Sequence, residues 1–137
     1  MPILLDTHVI QWWSAEPQRL SRSALRALAA ADEMAVAAIS WFELAWLVWF
    51  ELAWLAAHGR IIVSIPIRSW LEELSSHVRT VGITTAIADT AESLSDAFPG
   101  DPADRLIYAT AVEQGWQLVT KDRRLRGYRH PRPITIW

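Results

Sequence analysis

The sequence predicts an α/β fold, a three-layer α/β/α sandwich around a mainly parallel central sheet of four to five strands. Three observations carry this. Short apolar runs alternate with helix-like stretches along the chain, and those runs are too apolar to leave one face in water. The chain's 137 residues, 52% of them hydrophobic, suffice for one sizeable core but not for two. No Gly/Ser-rich linker or low-complexity block interrupts the pattern, so we expect a single domain over 1–137.

In chain order, the β-type runs are ILL at 3–5, MAVAA at 34–38, WQLVT at 116–120 and ITIW at 134–137, with VRTVGI near 78–83 a weaker fifth. Between them, Ser21 is placed to cap SALRALAAA. Ser40 is placed to open a long Trp-rich helix that stops at Gly59, and Pro66 stands near the start of IRSWLEELSSH. Thr84 or Thr85 opens AIADTAESL. Asp101 and Pro102 open ADRLIYATAVEQ, which Gly115 ends, and Asp122 can cap a short DRRLR turn. Parallel α/β sheets carry their chemistry at the carboxyl ends of the strands, so residues just after each strand are the ones to inspect.

WFELAWLV at 41–48 is followed directly by WFELAWLA at 49–56, an eight-residue tandem copy that differs only in its last position. Eight residues add about 12 Å of helix and about 80° of rotation beyond two turns, so the two copies cannot present the same face. Two such short units make an internal duplication, not a repeat architecture. Four of the nine tryptophans, Trp41, Trp46, Trp49 and Trp54, lie in it. Tryptophans are expected mostly in the core, with the surplus apolar surface of this helix meeting a second copy or another protein.

No cysteine is present, which excludes disulfides and thiolate metal sites. MPILLDTH lacks the basic start of a secretion signal, and Glu43 and Glu51 interrupt the most hydrophobic region, so a cytoplasmic protein without a membrane span is expected. The net charge of −2 hides an asymmetry: residues 1–120 carry 7 basic and 14 acidic side chains, residues 121–137 carry 6 and 1. An acidic body with a basic tail suits a site where a cation and phosphates meet, although a solvated basic end would read the same way.

Asp6 ends the first run, Glu43 follows the second, Asp104 opens the helix before the fourth, and Asp122 follows that run directly. Each has a structural explanation of its own. Ser40-x-x-Glu43 reads as a capping box, and Asp101, Asp104 and Asp122 stand where helices begin. Taken together, acids at one edge repel one another unless a cation neutralises them. Oxygen ligands without cysteine, and without histidines at ligand spacing, select Mg²⁺ or Mn²⁺. Such an ion, or a pair, can activate water for phosphodiester cleavage. His8 has no partner at ligand spacing and reads as structural; His58, His77 and His130 carry no readable chemistry. A nucleotide-binding P-loop is excluded because no GxxxxGK[ST] occurs.

The order LLDT, AISWFEL, DPADRLIYATA, LVTKD resembles the PIN domain, specifically VapC toxins of bacterial toxin–antitoxin pairs, over nearly the whole chain. The resemblance implies a metal-dependent endoribonuclease that cuts RNA, often structured RNA such as tRNA, and a homodimer silenced by a cognate VapB-type antitoxin. Carried over by position, it implies metal-binding and catalytic roles for Asp6, Glu43, Asp104 and Asp122. Asp101 in the DPxDR form looks like a cap. Arg105, Lys121 and Arg123 are the candidates for substrate phosphates, with bracing of the helix as the other reading of Arg105.

The duplication supplies Glu43 and Glu51 in identical local contexts. Distance from the Ser40 cap favours Glu43. Seating Glu51 instead would bulge out 41–48 and expose Trp41, Phe42 and Trp46, at about 1.5–3 kcal/mol each. Displacement of the second acid would leave a catalytically impaired PIN-like module that only binds antitoxin, RNA or its own copy.

Overall fold

The computed structural model describes residues 1–59, 66–129 and 132–137. Its sheet has five strands in the order β3-β2-β1-β4-β5, and every neighbouring pair is parallel. The strands are β1 (Ile3–Leu5), β2 (Met34–Ala37), β3 (Arg79–Val81), β4 (Leu118–Val119) and β5 (Thr135–Ile136). All five lie inside the ranges expected from sequence, and all are shorter or equal. Side-chain alternation divides the core in two. Leu4, Ala35, Ala37 and Leu118 face one helical layer, while Ile3, Leu5, Val36 and Val119 face the other. β1 sits centrally between β2 and β4, so the strand order reverses there, and such a switch point opens a crevice outside the strands' carboxyl ends.

The helices are α1 (Thr7–Ala15), α2 (Arg22–Ala30), α3 (Ile39–Ala57), α4 (Ile67–Ser75), α5 (Thr85–Ser93), α6 (Pro102–Gln114) and α7 (Arg123–Gly127). Ser21, Thr84, Asp101 and Asp122 cap α2, α5, α6 and α7 through their side-chain oxygens. Pro102 opens α6 at its first position, and Gly115 ends it at φ +70°, a conformation that only a residue without Cβ adopts without strain. α1 was not foreseen. Its β-branched and aromatic residues are weak helix formers in isolation, but Asp6 caps it and Val9, Ile10 and Trp12 bury against the sheet.

α3 departs from expectation at its start. It begins one residue before Ser40, with Ala38 in the cap position and no side-chain cap, so the Ser40–Glu43 capping box does not form. Ser40 is fully buried inside the first turn, and Glu43 belongs to the second.

The two copies of the duplication run on as one helix, and within 41–56 only Leu44 is fully buried among the described side chains. Phe42, Trp46, Trp49, Phe50 and Trp54 are 45–67% exposed, so in this stretch only Trp41 among the tryptophans joins the core and the rest belong to the expected surplus. A single-layer contact can bury only one side of a helix that is apolar all round. The exposure also removes most of the cost expected to separate Glu43 from Glu51, because Phe42 and Trp46 stand in water with Glu43 in place, and only Trp41 is packed against the core. Among the described residues, α3 is the one helix with the length and mean hydropathy (1.3) of a membrane span, interrupted by its two glutamates.

Candidate active site

Asp6, Glu43, Asp104 and Asp122 line one open cavity of about 590 Å³ at the carboxyl edge of the sheet, together with Thr7, His8 and Asp101. Each reaches it from a different element: Asp6 from the end of β1, Glu43 from α3 after β2, Asp104 from the first turn of α6, and Asp122 from the end of β4. Glu51 does not reach it. That residue borders a small apolar pocket with Val48, Leu52, Ile67 and Trp70.

Asp6 is buried and fixed at both oxygens. The Thr7 backbone N–H donates to Oδ1 at 2.8 Å and the Thr120 hydroxyl to Oδ2 at 2.6 Å. Thr120 in turn accepts from the Asp122 backbone N–H at 3.1 Å, which ties the ends of β1 and β4 together. Glu43 is held by the Thr7 hydroxyl, which donates to Oε1 at 2.6 Å. Thr7 Oγ1 also lies 3.0 Å from Ser40 Oγ; with its single proton used on Glu43, Ser40 is the donor in that contact. The buried Ser40 that was taken for a cap therefore fixes a hydroxyl that positions Glu43.

Arg124 spans the other two acids. Its Nη2 lies 2.9 Å from Asp122 Oδ2 and 3.2 Å from Asp104 Oδ2, and Nε donates to Asp122 Oδ1 at 3.3 Å. Asp101 is engaged as expected of a cap, accepting from the Ala103 and Asp104 N–H groups at 2.8 and 3.3 Å.

Of the residues proposed for substrate, Lys121 and Arg123 line the cavity, and Lys121 Nζ sits 5.5 Å from the centre of the Trp12 ring. Arg105 does not line it. Its guanidinium donates to the carbonyls of Ala91 and Leu94 at 3.1 and 3.3 Å, so it braces the end of α5 against α6. His8, read as structural, is exposed on the cavity wall and tilts against Trp12. His130 lies outside the described residues.

Electrostatics set three of the acids apart. Burial lifts the Asp6 carboxyl above its ordinary value, opposed by the Thr120 and Thr7 hydrogen bonds. Glu43 is raised by burial, opposed by Thr7 and reinforced by the charges of Asp6 and Asp101. Asp104 is pushed up to about 7, first by burial and then by Asp101, Asp6 and Asp122. Asp122 goes the other way, because Arg124 hydrogen-bonds its charged form.

Among the described residues no three of these groups are already drawn together around one point. The donor set nonetheless fits a hard divalent ion: it consists of oxygens, it carries excess negative charge, and two of its members share a single arginine as counter-ion. Thr7, Ser40, Thr120 and Arg124 were missed in the sequence, although Thr7 and Thr120 stand one and two positions from acids at strand ends.

Comparison with known proteins agrees with this geometry. The PIN domain family model matches residues 3–131. The chain is 64% identical over 135 residues to Ribonuclease VapC22 of Mycobacterium tuberculosis (strain ATCC 25618 / H37Rv), covering 98% of each. Among solved structures it resembles VapBC2 from Rickettsia felis bound to a DNA fragment from their promoter, with a TM-score of 0.68 at 18% identity, covering 98% of this chain and 97% of that one. It also resembles a toxin–antitoxin complex from Klebsiella pneumoniae, with a TM-score of 0.58 at 21% identity over 88% and 86%. With a five-stranded parallel sheet, four acids at its carboxyl edge and a family match over almost its full length, the chain belongs to the PIN domain family.

Proposed function

We propose that this chain is an endoribonuclease and the toxin component of a toxin–antitoxin pair, with residues 1–137 working as one PIN-like unit. The observation that carries this is the lining of a single cavity by Asp6, Glu43, Asp104 and Asp122, supported by close identity to a protein named a ribonuclease. Asp6, Glu43 and Asp104 would hold the principal Mg²⁺ or Mn²⁺, and Asp122 would complete the site or recruit a second ion. When bound, such an ion activates water and stabilises the leaving oxygen in phosphodiester hydrolysis.

The chain's own residues do the rest. Thr7 and Thr120 fix the oxygens of Glu43 and Asp6 so that little reorganisation is needed at the moment of reaction. Burial and the neighbouring acids oppose the charged forms of Glu43 and Asp104, which a bound cation would favour. Lys121 and Arg123 face the same cavity and draw RNA phosphates past the acids. Arg124 keeps Asp104 and Asp122 compensated, a role that a bound cation would take over from it.

The substrate is RNA in the cytoplasm, with structured RNA such as tRNA the proposed target. The partner is a VapB-type antitoxin, a reading supported by neighbours that are themselves toxin–antitoxin complexes. The aromatic stripe of α3 supports self-association as a homodimer, which sedimentation equilibrium of the chain alone would read directly. The catalytically impaired module is not favoured, since Glu43 reaches the cavity despite the duplication.

The test is Asp6→Asn. Cleavage of a labelled RNA in Mg²⁺ should vanish while far-ultraviolet circular dichroism and the melting transition stay native in form. Undiminished cutting by the variant would overturn the assignment.

A further inference from the structure

A second cavity, of about 690 Å³, adjoins the acidic one and shares Arg123 and Arg124 with it as a common wall. Pro99, Gly127, Tyr128 and Arg129 supply much of its remaining lining, and no carboxylate is among its described lining residues. Its two sides therefore differ in kind: acids and cations face each other in the first cavity, whereas only cations and neutral groups line the second.

The floor is rigid. Tyr128 is buried against Phe98 and Tyr108 in edge-to-face contacts with ring centres 4.9 and 5.3 Å apart, and its hydroxyl accepts from the Ser95 N–H at 3.3 Å. Gly127 adds no side chain above that floor, and no atom stands where a Cβ would project. The cations differ in availability. Arg124 is committed to Asp104 and Asp122, whereas Arg123 and Arg129 are exposed and form no ion pair among the described residues. Two uncompensated guanidiniums on a firm, acid-free cradle beside a hydrolytic crevice match a polyanion's backbone, since guanidinium forks pair with phosphate oxygens in two-point contacts.

We propose that this cavity is a phosphate subsite: it receives the RNA backbone next to the linkage held among the acids, with Arg129 and Arg123 as its cations and α7 as the ridge the strand crosses. The proposal rests on the ribonuclease reading. It assigns a role to Arg129, which lies outside the acidic cavity and outside the residues singled out in the sequence.

The experiment measures binding of a fluorescein-labelled single-stranded oligoribonucleotide by anisotropy. It uses the full chain carrying Asp6→Asn to prevent cutting, over about 50 to 200 mM salt, the range in which counterion release is read. Adding Arg129→Ala should weaken binding and flatten the slope of log K against log salt by about 0.7, and Arg123→Ala with Arg129→Ala should flatten it by about 1.4. Equivalently, the affinity deficit of Arg129→Ala should shrink about 2.6-fold across that range. Arg26→Ala, an exposed arginine on α2, should leave the slope where it was.

Calorimetric titration with Mn²⁺ on the chain with Asp6 intact separates the two layers. If Mn²⁺ binds and RNA is cut, yet Arg129→Ala keeps the parental slope, the subsite is wrong and the ribonuclease reading stands. A chain that takes up no Mn²⁺ and cuts no RNA overturns the reading beneath it. A cavity that binds an acidic peptide while the RNA slope stays unmoved by Arg129→Ala also overturns the subsite.

Discussion

Asp104 stands at the start of α6, its side chain 14% exposed, with its carboxyl displaced from 3.8 to about 7. A folded-state value above the unfolded one means that between pH 4 and 7 the native protein holds a proton the unfolded chain has lost. Stability from this group is therefore complete below pH 4 and falls away as pH rises through about 7. Replacing it by Asn removes the charge that burial and three neighbouring acids oppose. At about 1.4 kcal/mol per pH unit, the full displacement would correspond to roughly 4 kcal/mol. Solvent and salt reach this open crevice, and the variant also gives up the Arg124 pair, an exposed contact worth about 0–1 kcal/mol. We therefore expect Asp104→Asn to be more stable than the wild type by on the order of 1–2 kcal/mol at pH 8 without divalent ions. For a chain of this size that raises the melting temperature by roughly 3–8 °C. The gain should shrink to nothing by about pH 4 and reverse when Mn²⁺ is added, because the wild type, with the full set of carboxylates, then binds the ion more tightly than the variant. Differential scanning calorimetry at pH 4, 6 and 8, with chelator and with Mn²⁺, reads all of this. A variant no more stable at pH 8, or a gain independent of pH, would refute the electrostatic reasoning.

Two further outcomes follow from named contacts. Glu43→Gln should weaken Mn²⁺ binding at least tenfold in a calorimetric titration, while Glu51→Gln, whose carboxyl lies on an apolar pocket away from the acids, should leave it unchanged; the opposite ranking would mean that the second copy serves the site. Tyr108 is fully buried and its hydroxyl has no hydrogen-bond partner among the described residues, so Tyr108→Phe should keep the ring packing against Phe98 and Tyr128 and raise stability by about 1 kcal/mol in urea unfolding; a loss of that size would show that the hydroxyl is satisfied.

The sheet was legible because its signal is local. Leu4 and Leu118 alternate with Ile3, Leu5 and Val119, and punctuation by Gly59, Pro102 and Gly115 marks where helices stop or start. The acids were legible for a related reason, since a residue just past a strand in a parallel sheet has one place to go. What escaped was decided across the chain. Thr7 reaches Glu43 over 36 positions and Thr120 reaches Asp6 over 114, and neither pairing leaves a trace in spacing. Ser40 looked like a cap because a serine before an apolar run usually is one, yet the chain already enters helical geometry at Ala38 and buries that hydroxyl. Nor could a run of four basic residues in KDRRLR reveal that Arg124, and not Arg123, turns back across two carboxylates. The duplication was plain, but burial on a helix depends on which neighbours exist, and those are set by the layers, not by the aromatic content of the segment.

The most direct measurement is an anomalous difference map from a crystal of the chain soaked in Mn²⁺. We expect a peak within coordination distance of Asp6, Glu43 and Asp104, with Arg124 drawn off Asp104. Manganese absent from that crevice, or seated at Glu51 instead, would contradict the assignment of these carboxylates to a catalytic metal.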